Sequence, residues 1–365
     1  MDQEFNITEF LKYAVAAGAS DEHLKVGYPP FVRKNGFIDA TNWPVLTKEN
    51  LDEAVLDIAP VSIRDSILTS YDIDFLYEIK GCSRFRVNYN RQMNNSGLVI
   101  RNIPYDIPTF DDLELPWILN EIVKYQNGIV LLTGPTGCGK STTIASLINE
   151  ISLNYSKHIV TLEDPVEYVF PSQRSIVSQR QLGIDTSTFA EGVKYALRQD
   201  PDIIFVGEIR DKETMDAALK AAETGHLVVS TLHTNDAVQT INRIVNMFEE
   251  SNRYLVRKQL AETLRATISQ RLVYSNKNKR RYPACEIMVV TPTIKDYITK
   301  GASEEIYALL SDVNIDNMIS MNSSLARLVS KELITEEEAL MHTDDKNELE
   351  KMFKGVYHGT KMYYE

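Results

Sequence analysis

Cysteine is scarce in this chain: Cys82, Cys138 and Cys285 are the only three in 365 residues, widely separated, with no Cys-x-x-Cys pair. That spacing points away from a disulfide framework and the usual zinc module, and it favours a reducing, cytoplasmic setting. No apolar run approaches the roughly 20 residues that a membrane-spanning helix requires. The opening Met-Asp-Gln-Glu-Phe-Asn is acidic where a secretory leader is basic and then apolar, so no signal peptide is expected. Positive charge is also short. With 39 Lys and Arg against 51 Asp and Glu, the formal net charge is −12, and no nucleic-acid partner is expected of such a surface. The one dense basic run, Lys277-Asn-Lys-Arg-Arg281, reads as a solvated loop. A composition 43% hydrophobic and 25% charged fits a globular chain of two or three domains.

Within that ordinary background one stretch stands apart, Gly134-Pro-Thr-Gly-Cys-Gly-Lys140-Ser141, followed by Thr142. An apolar run, Gly128 to Thr133, precedes it, and helical spacing of apolar residues from Thr142 to Ile148 follows. Strand, glycine loop and helix together make a phosphate-binding loop. Gly134, Gly137 and Gly139 let backbone N–H groups approach phosphate oxygens, with Pro135, Thr136 and Cys138 between them, and the helix N-terminus adds partial positive charge. Lys140 is placed to reach the β- and γ-phosphates of ATP, and the Ser141 hydroxyl to ligate Mg²⁺.

The first hundred residues read as a small, mostly antiparallel α+β domain. A helix is expected over Thr8–Ala19, and a second from its N-cap Thr47 to about Ile58. Asn35-Gly36 signals a hairpin between Phe31–Lys34 and Phe37–Asp39. Strands are expected over Ile73–Ile79, Ser83–Tyr89 and Gly97–Ile103. Strand alternation places Arg84 and Arg86 on one face, with Phe85 and Val87 on the other. Arg101 likewise lies opposite Leu98 and Ile100. From the pattern alone these arginines read as a solvated face. Residues 1–103 form this domain, and Pro104-Tyr-Asp-Ile-Pro108 opens a stiff linker over 104–111.

Beyond the linker, apolar strands alternate with helices, which implies a mostly parallel sheet in a core spanning 112–285. Ligands in such sheets lie beyond the carboxyl ends of the strands. Three of those ends carry ionisable groups: Glu163-Asp164 after His158–Leu162, Glu208 after Asp200–Val206, and His233-Thr234 after His226–Leu232. ATP hydrolysis needs Mg²⁺ ligation, a carboxylate for the water and a cation at the γ-phosphate, and these groups suit it. His226 follows Thr-Gly at a strand start and is expected only to hold backbone. From Asp236 onward the chain is expected to be mainly helical, with Leu260, Leu264, Ile268 and Leu272 forming a core stripe at four-residue spacing. A helical region over 286–365 closes with Ser323–Leu333, Thr335–Met341 and a tyrosine-rich tail.

These pieces together resemble the secretion-ATPase superfamily, specifically the PilT/PilU group of type IV pilus retraction motors. The resemblance covers nearly the whole chain. It rests on the phosphate loop, Thr161-Leu-Glu-Asp-Pro-Val-Glu167, the run Leu197–Asp211 containing Asp-Ile-Ile-Phe-Val-Gly-Glu208, and Ala222–Thr234 containing Gly-His-Leu-Val-Val-Ser-Thr-Leu-His233. It implies a PAS-like N-terminal domain, a RecA-like ATPase domain with a helical C-terminal part, and a homo-hexameric ring. It implies Glu163 as general base, Glu208 as the Walker B acid acting on Mg²⁺ directly or through water, and His233 as γ-phosphate sensor. Arg84, Arg86 and Arg101 then match positions that reach nucleotide in the ring, which reverses the reading from pattern alone, while Arg210 is a candidate for a structural ion pair. Two departures are visible: Cys138 replaces the more usual serine, and Thr293-Ile-Lys-Asp-Tyr-Ile-Thr-Lys300 replaces a segment near Ala-Ile-Arg-Asn-Leu-Ile-Arg-Glu.

The expected function is an ATPase motor driving pilus disassembly, peripheral at the cytoplasmic face of the inner membrane, its work passing to an inner-membrane platform protein. A paralogous retraction ATPase is a further partner the resemblance leaves open. Rival readings are an assembly or type II secretion motor, a DNA-translocating motor and an accessory ring subunit. The first of these relatives usually carries an extra N-terminal domain, not expected here, and a four-cysteine zinc insertion, which three separated cysteines do not provide.

Overall fold

Apolar residues at Ile7, Phe10, Leu11 and Ala14 give α1 (Ile7–Ala16) one buried face, and the Asn6 side chain caps its first turn. The computed structural model describes residues 5–34, 36–103, 105–311 and 317–355, and the chain divides into units of residues 1–106 and 107–365. In the first unit α1 is followed by β1 (Asp21–Lys25), β2 (Phe31–Lys34), β3 (Phe37–Ala40), α2 (Lys48–Ile58), the short α3 (Val61–Arg64), β4 (Asp72–Ile79), β5 (Ser83–Gln92) and β6 (Asn95–Ile103). The strands form one antiparallel sheet in the order β3-β2-β1-β6-β5-β4. Lys34 pairs with Phe37, as the expected two-residue hairpin requires, although Asn35 itself lies outside the described residues, as do Pro104 and the tyrosine-rich tail. Thr47 caps α2 in a reciprocal capping box with Asn50. Phe85, Val87, Leu98 and Ile100 face α1 and α2 in one core, so the alternate residues of β5 and β6 turn the other way.

The second unit begins with α4 (Leu119–Ile122), β7 (Gly128–Thr133), α5 (Lys140–Asn154), β8 (His158–Glu163), β9 (Ile176–Gln181), α6 (Phe189–Ala196), β10 (Ile203–Val206), α7 (Lys212–Glu223) and β11 (Leu227–Leu232). It continues through α8 (Ala237–Asn246), α9 (Arg253–Thr263), β12 (Leu264–Ser275) and β13 (Arg280–Val289). Helices α10 (Pro292–Lys300), α11 (Ser303–Ser311), α12 (Met321–Ser330), α13 (Glu336–Leu340) and α14 (Lys346–Phe353) follow. The sheet order is β13-β12-β7-β11-β10-β8-β9, parallel throughout except for β13. Ile129 and Leu131 pack with α6 to α9, while Val130 and Leu132 pack with α4 and α5. A strand buried on both faces has no solvated side to alternate with, which is why β7 and β10 read as near-continuous apolar runs and β11 departs from one only at Ser230 and Thr231.

One expectation fails. The stripe at Leu260, Leu264, Ile268 and Leu272 is not a helix: only Leu260 lies in α9, and the other three lie on β12. A spacing of four is also two strand periods, so it suits a strand as well as a helix, although a register shift between Leu264 and Ala266 sends Leu264 to the α6–α9 side of the sheet and Ile268 to the α4–α5 side. What decides is pairing. β12 takes the open flank of β7, with Ile268 beside Leu132, and folds back through β13, with Ile268 beside Ile287.

One buried acid makes the stability of the first unit depend on pH. Glu22 on β1 points into the core with no exposure, accepts a hydrogen bond from Asn102 Nδ2 at 2.8 Å, and has its pKa raised to about 8, chiefly by burial. The folded pKa exceeds the unfolded one, so this stability is fully present below the unfolded value and disappears as pH rises through the folded value. Unfolding midpoints in urea should therefore fall as pH rises from about 4.5 towards about 8 and level off above that, and Glu22→Gln should flatten that slope.

Candidate nucleotide site

The glycine loop joins β7 to α5, and close contact with β12 dictates its residue types. A side chain at Gly134, where φ is 140°, would bring its Cβ within 2.4 Å of the Gln270 carbonyl oxygen and 2.7 Å of Cys138 Sγ. At Gly139, with φ 90°, a Cβ would meet Gln270 Nε2 at 2.9 Å. The loop is therefore wedged against β12, with no room for larger residues at those points. Cys138 fills the gap as a small buried side chain, its thiol pushed up by burial.

Gln270 is the residue that sequence reading missed. Its Nε2 donates to the Cys138 carbonyl at 2.7 Å, and its Oε1 accepts from Thr143 Oγ1 of α5 at 2.9 Å. One buried amide thus ties the loop and the first turns of α5 to β12. Beside it, Thr133 Oγ1 donates to Ser269 Oγ at 3.0 Å. Arg265, Thr267, Ser269 and Arg271 surround it on β12, so nothing in the sequence marks it; only its burial shows that the amide needs partners.

Lys140 is nearly buried, and its Nζ donates to the carbonyls of Gly134 at 2.7 Å and Pro135 at 3.0 Å. Burial lowers its pKa, while Cys138 and the charge of Glu208 oppose that shift. These carbonyl contacts hold the ammonium over the loop, from which phosphate oxygens can replace them. Ser141 is exposed at the start of α5, and Thr142 Oγ1 lies 3.3 Å from the Tyr168 hydroxyl.

The acids and histidine stand at the carboxyl ends of parallel strands. Glu163 ends β8, is 6% exposed, and is pushed up in pKa by burial. Its Oε1 accepts from Thr161 Oγ1 at 2.6 Å and from Gln179 Nε2 at 3.0 Å. Glu208, just past β10, pairs with Arg210 on one oxygen and lies 3.3 Å from His233 Nε2 on the other. His233 follows β11 directly. Arg210 thus forms the ion pair expected of it, and His226 Nδ1 lies 3.0 Å from the Ala221 carbonyl, where it holds backbone. Among the described residues no group of three or more His, Cys, Asp or Glu side chains could cage a metal.

Arg84, Arg86 and Arg101 belong to the first unit. Arg86 pairs with Arg101 across β5 and β6, Arg101 with Asp21 on β1, and Asp21 with Arg33 on β2. This makes one cross-strand rung of three guanidinium groups and one carboxylate. Arg101 Nε contacts Asp21 Oδ1 at 2.9 Å, and Arg33 Nε lies 3.8 Å from Oδ2.

Comparison with known proteins identifies the family. Residues 97–363 match the family model described as Type II/IV secretion system protein. The chain belongs to that family. It is 39% identical to the type IV pilus retraction ATPase PilT of Pseudomonas aeruginosa, over 92% of this chain and 97% of that protein. It is also 36% identical to the type IV pilus ATPase PilU of the same organism, over 95% of this chain and 91% of that one. Among solved structures, the pilus retraction motor PilT with bound ADP superposes with a TM-score of 0.86 at 41% identity, covering 96% of this chain and all of that one. This family member is therefore an ATP-hydrolysing PilT/PilU-like secretion ATPase, with an antiparallel-sheet unit followed by a mostly parallel α/β unit. No helix among the described residues is long and apolar enough to cross a membrane.

Gln270→Leu keeps the volume but removes both hydrogen bonds that anchor the loop. Affinity for a fluorescent ADP analogue should fall by about tenfold, the effect of losing roughly one well-made buried hydrogen bond.

Proposed function

We propose that the chain is a motor of type IV pilus retraction, acting as a homo-hexameric ring at the cytoplasmic face of the inner membrane. The observation that carries this reading is the near end-to-end similarity to a retraction ATPase, together with a phosphate loop, Glu163, Glu208 and His233 at neighbouring strand ends. The work would pass to an inner-membrane platform protein, with a paralogous ATPase as an additional partner. PilU-type service has its own support in the 36% identity to PilU and in the altered segment that forms α10.

In this reading Gly134 to Thr142 cradle the phosphates of ATP and Lys140 neutralises the β- and γ-oxygens. Ser141 and Glu208 would hold Mg²⁺, which when bound offsets negative charge on the β- and γ-phosphates. Glu163 takes a proton from water as the water oxygen attacks the γ-phosphorus. The bond from that phosphorus to the bridging oxygen breaks with its electron pair on ADP. Burial suits Glu163 to this task, because it raises the basicity of the carboxylate while the Thr161 and Gln179 donors keep it from rising further. His233, beside Glu208, would follow the presence of the γ-phosphate.

Arg84, Arg86 and Arg101 would reach the nucleotide of the adjacent subunit. Two guanidinium groups directly opposite each other across β5 and β6 repel, and one carboxylate offsets only part of that charge. An arriving triphosphate relieves the repulsion. Binding energy is thereby linked to closure of the subunit seam.

Four experiments test this. Glu163→Gln should still bind ATP but turn over at least about 100-fold more slowly, and Lys140→Ala should lose binding or turnover. Arg101→Ala should lower kcat by about 1,000-fold, the scale of a trans-acting arginine. Deleting the gene and counting surface pili decides the direction of work: excess, non-retracting fibres support retraction, and bald cells would overturn it in favour of assembly.

A further inference from the structure

The edge of the parallel sheet carries a second set of polar side chains beside Glu163. β8 and β9 pair in parallel register, with Thr161 beside Gln179 and Glu163 beside Gln181. A period of two puts all four on one face. Thr161 Oγ1 and Gln179 Nε2 both donate to the same carboxylate oxygen, Oε1 of Glu163, at 2.6 and 3.0 Å. Gln179 does more than donate once. Its Nε2 also contacts the Tyr168 carbonyl at 2.8 Å, and its Oε1 accepts from Phe170 N at 2.9 Å. Gln181 Oε1 accepts from Val166 N at 3.3 Å. The segment 166–170 is thereby laced to β9, and its Tyr168 hydroxyl lies 3.3 Å from Thr142 Oγ1 at the start of α5. A continuous chain of contacts therefore runs from the phosphate-loop helix through Tyr168 and Gln179 to Glu163 and Thr161.

We infer that Thr161 and Gln179 are positioning residues for ATP hydrolysis: they pin Oε1 of Glu163 so that Oε2 takes the proton from water, and Tyr168 and Gln179 join that carboxylate to the phosphate loop. This rests on Glu163 being the general base. Three physical features support it. A carboxylate that is 6% exposed keeps its charge only with donors at hand, and two side-chain donors supply them. Both donors meet one oxygen, which orients the carboxylate as a single donor cannot. The donors also stand on two adjacent strands rather than on a mobile side chain, so the orientation is built into the sheet. Glu167, from the segment after β8, acts on Glu163 in two opposite ways: its backbone N–H bonds the carboxylate and lowers its pKa, while its charge pushes in the same direction as burial; β9 offers only the uncharged Gln179 and Gln181 to that face.

The test is steady-state ATP hydrolysis by the purified full chain across a pH series, with ADP affinity measured alongside. Thr161→Val removes one donor at constant shape, and Gln179→Leu removes the other. Each should lower kcat by at least about tenfold while leaving KM and ADP affinity nearly unchanged. Loss of a donor raises the pKa of Glu163, so the acid limb of kcat should move to higher pH. Thr161→Ser restores a hydroxyl and should recover turnover relative to Thr161→Val. Should Gln179→Leu fail to fold, Gln179→Glu retains the shape and sets a second carboxylate beside Glu163, which should move the acid limb further in the same direction. Wild-type kcat and an unmoved acid limb in these variants would overturn the inference even if Glu163→Gln is inactive. Normal turnover by Glu163→Gln would instead overturn the general-base reading beneath it.

Discussion

A parallel sheet covered by helices on both faces has no wet side, and this constraint governs the second unit. In β7, β8, β10 and β11 the strand interiors hold only apolar side chains or small polar ones that bond locally, such as Ser230 donating to the Val206 carbonyl at 2.6 Å. Ionisable groups that must meet water or phosphate are confined to the strand ends. Because the strands run the same way, their carboxyl ends lie along one edge. Glu163, Glu208 and His233 come together there although 45 residues separate the first two and 25 the last two, as 208 − 163 and 233 − 208.

The phosphate loop depends on the strand beside it. Close packing of Gly134 and Gly139 against Gln270 leaves no room for a side chain at either position, and the amide of Gln270 fastens the loop to β12 and α5 together. Lys140 bonds to loop carbonyls rather than to solvent, so its charge is held close to where phosphate oxygens belong. A site of this kind needs little rearrangement to bind an anion, which is how a buried, preorganised cation is worth more than an exposed one.

The first unit solves a different problem. Its six-stranded antiparallel sheet packs one face on α1 and α2 and leaves the other to polar groups. Arg33, Asp21, Arg101 and Arg86 form a rung across four strands with more positive than negative charge. Such a row is costly in isolation and favourable beside an anion, which is the basis of the role proposed for it against a partner's nucleotide.

Sequence alone was sufficient for the phosphate loop, the strand-end acids, the capped helix α2 and the two-unit plan, because each rests on local chemistry: glycines at fixed offsets, apolar runs, a threonine at an N-cap. The arginines show the intermediate case. Alternation put Arg84 and Arg86 on the polar face correctly, but only register places Arg101 opposite Arg86 and Asp21 beside it. Leu264, Ile268 and Leu272 show the limit, since four-residue spacing suits a helix face and a strand face equally, and pairing with β7 and β13 decided for the strand. Gln270, Thr161 and Gln179 were silent in the sequence for the same reason. A glutamine or threonine acquires a role from what lies opposite it, and which strand lies opposite is settled by tertiary pairing across the sheet, not by neighbours along the chain.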